Sequence, residues 1–146
     1  MTNPPTPAMR NLAQWLLDHE ADAGNPSDMK VRAAFRTCEK LGHHLSKLAG
    51  VAGFWSLLSR ALTLAKREAP WLAAVELKAD GSLEGTGRIE TQQDRDDAER
   101  GGVVLVAQLL GLLATFIGQN LAMRLVREVW PDAPLDLMDP RMEKEQ

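Results

Sequence analysis

From Gly101 to Met123 the chain carries no charged residue, and Arg100 and Arg124 bracket the stretch. Its length suits a helix spanning a bilayer, and a helix apolar all round belongs in a protein core or a membrane. Three features favour the core. Gln108, Thr115, Gln119 and Asn120 interrupt the run. Beyond Gly118 the pattern becomes one-sided, with Leu121, Leu125 and Val129 set against Arg124, Arg127 and Glu128. The helices expected upstream are amphipathic and need an apolar partner to cover their stripes. The expectation is a helix from about Thr91 to Val129. Its first part should be buried on every side, and Leu121 to Val129 should bury one face. Membrane insertion of residues 101–123 is the competing expectation.

The rest of the chain reads as helices that would surround this one. Three prolines in the first residues suggest an extended lead-in over residues 1–7. A first helix is expected from Ala8 to Ala23, with Leu12, Trp15 and Leu16 inward, stopped by Gly24 and Pro26. Ser27 is a suitable cap for a second helix. Val31, Ala34, Phe35, Cys38, Leu41, Leu45 and Leu48 recur there at three- and four-residue steps, opposite Arg36, Glu39, Lys40, His43 and Lys47. Gly50 and Gly53 predict a break or kink, since glycine costs about 1 kcal/mol against alanine inside a helix. A third helix follows over Phe54 to Glu68, ended by Pro70. Alternation on either side of Asp80-Gly81 predicts a short hairpin. Thr91 with Asp94 reads as a capping box for the fourth helix, and Trp130-Pro131 ends it.

The fold class is therefore mainly all-α: a four-helix bundle with a long, largely buried C-terminal helix and a short β-hairpin between helices three and four. The domain should cover residues 8–131, followed by a polar tail over 132–146. A chain of 146 residues is long enough for one core without staples. The net charge of −3 gives no basic face for nucleic acid. The lone Cys38 lies in an apolar row and reads as a buried hydrophobe. The N-terminus lacks an apolar segment of signal type, so a cytoplasmic setting is expected.

Candidate chemistry is sparse. Glu39 and His43 stand one helical turn apart, but no further cluster supplies the remaining ligands of a metal site. No phosphate loop, nucleophile elbow or calcium loop is present, so no cofactor is expected and the balance leans against an enzyme. The run His43-His44-Leu45-Ser46-Lys47-Leu48-Ala49-Gly50-Val51-Ala52-Gly53 partly resembles the motif of histidine phosphotransfer domains, through His43, Leu45, Ala49 and Gly53. Ser46 and Lys47 stand where that family has lysine and glycine. The resemblance implies a phosphoaccepting His43, assisted by Lys47, on a continuous helix, with response-regulator receivers as partners. Gly111 and Gly118 lie nearly on one face, where small residues permit close helix approach. With Leu110 and Leu121 they mark the expected helix-packing or homodimer seam. The leading expectation is thus a small, self-associating helical interaction or regulatory module without catalysis.

Overall fold

The computed structural model describes residues 7–23, 30–78, 83–84 and 92–133. The protein is mainly all-α. Helix α1 spans Pro7–Ala23, α2 spans Lys30–Glu68, α3 spans Gln92–Ile117 and α4 spans Gln119–Val129. A 3-10 turn, Pro70–Ala74, follows α2. Strands β1 (Glu76–Leu77) and β2 (Leu83–Glu84) pair antiparallel, with Glu76 opposite Glu84 and Leu77 opposite Leu83. That is the expected hairpin; its turn lies outside the described residues, as do Pro26, Ser27, Thr91 and the tail beyond Ala133. Pro7, expected in the lead-in, already belongs to α1, where proline is welcome because the first helical N–H has no intrahelical partner.

Two glycines divide the long helices. Gly50 (φ 80°, ψ 164°) interrupts α2, so that residues 30–49 and 51–68 form two arms. Gly118 (φ 90°, ψ 149°) separates α3 from α4. Among the described residues these are the only positions with positive φ, a region that glycine enters without penalty from a Cβ. The first break is the one expected. The second corrects the expectation of a continuous fourth helix. Gly101 and Gly102, by contrast, pass through α3 without interrupting it.

α3 is the centre of the molecule. It packs most extensively on α2 and also against α1 and α4. Leu105, Val106, Ala107, Leu109, Leu110 and Leu113 are completely buried. The segment Asp96–Ile117 has a mean hydropathy of 1.8 and is the one described helix long and apolar enough to cross a membrane, yet 61% of it is buried inside the chain. Gln108, buried at 7% exposure, reaches Glu68 of α2 (Nε2 to Oε2, 3.5 Å), and Arg10 of α1 donates to the same carboxylate at 2.8 Å. These polar contacts tie three helices at one level. Burial is interrupted within the uncharged run: Thr115, Phe116 and the residues from Gly118 to Leu121 are exposed, and burial resumes at Ala122 and Met123.

The stripes of the outer helices reach the core nearly as read. Leu12 and Leu16 of α1 are fully buried, with Trp15 half-buried beside them. On α2, Ala34, Phe35, Cys38, Leu41 and Leu45 are buried, and so are Phe54, Leu58, Ala61, Leu62 and Ala65 beyond the corner. Leu48 is the exception at 61% exposure, because the helix turns away at Gly50 before its last stripe position meets a partner. The two arms close on each other through Phe54, whose ring occupies the space a side chain at Gly42 would need. Burial pushes the Cys38 thiol up to about 12, with Glu39 adding to the shift, so it stays a protonated, inert hydrophobe.

Candidate interaction surface and the Glu20 node

Glu20 is a carboxylate where the helical pattern asks for a hydrophobe. Leu12, Leu16 and Glu20 follow one another at steps of four, so Glu20 points to the same buried side of α1. It is 2% exposed. Three groups converge on it: Lys40 Nζ donates to Oε2 at 2.7 Å, Trp130 Nε1 donates to Oε2 at 2.7 Å, and Arg36 Nε lies 3.8 Å from Oε1. Arg36 also donates to the Glu20 backbone carbonyl at 3.1 Å. Burial pushes the Glu20 carboxyl upward, but the hydrogen bonds from Lys40 and Trp130 and the charges of Lys40 and Arg36 outweigh it. Its pKa is held below the ordinary 4.5. Trp130 follows the last residue of α4, and its own N–H closes that helix on Val126 O at 2.7 Å. One buried carboxylate thus joins α1, α2 and the far end of α4.

A cleft of about 530 Å³ opens above this node, lined by Arg36, Glu39, Lys40, His43 and His44 of α2 and by Glu128 of α4. His43 is exposed, with its ring edge-on to that of His44 at 5.7 Å. His44 Nδ1 lies 3.2 Å from Lys40 O. The two cations of the cleft, Arg36 and Lys40, both approach Glu20. Among the described residues no group of three or more His, Cys, Asp or Glu side chains is placed to hold a metal.

The phosphotransfer resemblance requires an unbroken helix from His43 to Gly53. Lys47 is exposed, one turn beyond His43. The break at Gly50, however, carries Gly53 onto the other arm of α2, away from the helical register that the resemblance assumes.

The expected packing residues separate into two groups. Leu110 is fully buried, and Gly111 faces Met9 of α1, with 3.6 Å from a Cβ built at Gly111 to the Met9 sulfur; both serve packing within the chain. Among the described residues, Gly118 has nothing within 4 Å of the place where a Cβ would stand, so none of the described helices packs over it. Leu121, expected inward, is 38% exposed. On α4 the buried face consists instead of Ala122, Met123, Leu125 and Val126.

Both glycine corners expose large apolar side chains, at Gly118 alongside the exposed polar residues Thr115, Gln119 and Asn120. Leu48 and Val51, each 61% exposed, flank Gly50; Phe116 (58%) and Leu121 flank Gly118. Among the described residues, a Cβ at Gly50 would likewise meet nothing within 4 Å. The exposed leucines are explained only in part by the sequence pattern, which places them at the edges of stripes. Comparison with protein families, curated proteins and solved structures gave no match.

Proposed function

We propose that the chain is a self-associating helical interaction module that works by binding rather than by catalysis. The observation that carries this reading is the pair of glycine corners, each with large apolar side chains exposed on both sides of the bend. Apolar surface left in water favours association by roughly 25 cal/mol for each Å² it loses on contact. A glycine without neighbours lets a second backbone approach closely. The net charge of −3 opposes pairing only weakly, so a second copy is the occupant that these corners fit.

Light scattering on fractions from size-exclusion chromatography tests this. The mass should rise from one chain toward two with concentration. Phe116→Glu should hold the protein at one chain while leaving its helical circular dichroism intact, because Phe116 is exposed and contributes little to the core. A single-chain mass at every concentration would remove the proposal.

A further inference from the structure

The connection between α3 and α4 is one residue long, and the two ends of α4 are held in different ways. At its start, Gly118 supplies a sharp bend with no side-chain cap, and among the described residues nothing packs over it. At its finish, Trp130 is tied to the buried Glu20 at 2.7 Å. Between them α4 buries one face, Ala122, Met123, Leu125 and Val126, in a groove against α2 and α3. An arm seated firmly by its tip and face, on a hinge of minimal length, is the arrangement from which identical elements are exchanged between copies.

We infer that α4 exchanges between two copies of this chain. Gly118 straightens to helical backbone, α3 and α4 become one helix, and the α4 of each copy takes the groove of the other. Trp130 then donates to Glu20 of the second copy. The exchange presupposes self-association and names what each copy gives the other. Its physics is favourable on three points. The docked face makes the same contacts in trans as in cis, so that part of the free energy is unchanged. The straight helix regains backbone hydrogen bonds that the bend interrupts. The two hinge segments come side by side, where Phe116 and Leu121 of both copies cover one another across the bare Gly118. That contact covers two hydrophobes that are exposed in the single chain. Opposing these gains is the loss of translational and rotational freedom on association, so the exchanged form grows with concentration.

The test uses full-length protein in two isotopic forms, one nitrogen-labelled and one not, unfolded and refolded together. Lys40 of α2 and Glu128 of α4 line the same cleft, and a zero-length carbodiimide joins amine to carboxylate. In the dimer fraction, the expected result is Lys40–Glu128 cross-links between labelled and unlabelled chains in statistical proportion. A dimer whose cross-links all lie within one isotopic form overturns the exchange and leaves self-association standing. Gly118→Ala penalises the bent form, since alanine resists positive φ, and should tighten the dimer by about one to two orders of magnitude. Should that variant fail to fold, a flexible Gly-Ser segment inserted after Gly118 relaxes the hinge and should yield monomer. Dimerisation of the insertion variant equal to that of the natural chain overturns the exchange. A monomer throughout, for the natural chain and Gly118→Ala alike, overturns both exchange and self-association.

Discussion

Trp130→Ala is expected to lower stability by about 3–5 kcal/mol, the range for truncating a buried tryptophan, read as a fall in the urea midpoint. Trp130 is 2% exposed and packs among the core residues. Its removal leaves a cavity at the junction of α1, α2 and α4, and it takes one of the close donors from Glu20. Trp130→Phe separates the two effects. It keeps most of the volume and loses the hydrogen bond, at a cost of about 1–3 kcal/mol for a buried acceptor left short of a partner. The pH dependence gives a second signature. The folded pKa of Glu20 is depressed, so its contribution is fully present above the ordinary value of 4.5 and is lost as pH falls through the lower folded value. With the indole donor gone, the upward push of burial is less opposed. In Trp130→Phe the acid-dependent part of the stability should therefore be smaller, and Glu20 should take up its proton at a higher pH than in the natural chain.

Leu109→Ala is expected to cost about 2–5 kcal/mol, again from lost transfer energy and a residual cavity. Leu109 lies in the middle of α3 with no exposed surface. The same substitution separates a core helix from a membrane-facing one. If residues 101–123 faced lipid, the unfolding midpoint in detergent-free buffer would not respond to it. A large fall in that midpoint marks α3 as the helix on which the others are built.

How far the sequence reveals this structure depends on the range of the interactions involved. Helical periodicity is local, and Ala34, Phe35, Cys38, Leu41 and Leu45 are buried as their spacing requires. Leu48 continues the same row but not the same burial, because the bend at Gly50 is a backbone event that the row does not encode. Glycine alone is an ambiguous signal. Gly101, Gly102 and Gly111 remain helical in α3, whereas Gly118 does not, and the local cost of each is similar, about 1 kcal/mol. Packing decides between them. Beyond Gly118 most of the apolar residues fall on one face, with Leu121 left outside it, and that face reaches α2 and α3 through the turn. The change of pattern was visible; the turn it demands was not. The Glu20–Trp130 bond joins residues 110 positions apart, and no local rule pairs them. Its trace in the sequence is the carboxylate at the third step of the Leu12, Leu16, Glu20 row, a buried position that has to find donors. His43 was legible as an exposed residue of α2, but its place at the rim of a cleft closed by Glu128 was not, because that depends on the path of α4.

Hydrogen exchange at low and high protein concentration tests most directly whether the glycine corners join copies of this chain. If they do, amides around Gly118, from Phe116 to Leu121, gain protection as concentration rises, while the core of α3 keeps the same rates. Exchange around Gly118 that is independent of concentration, in a range where the mass of the particle changes, would place the interface elsewhere and contradict the role assigned to these corners.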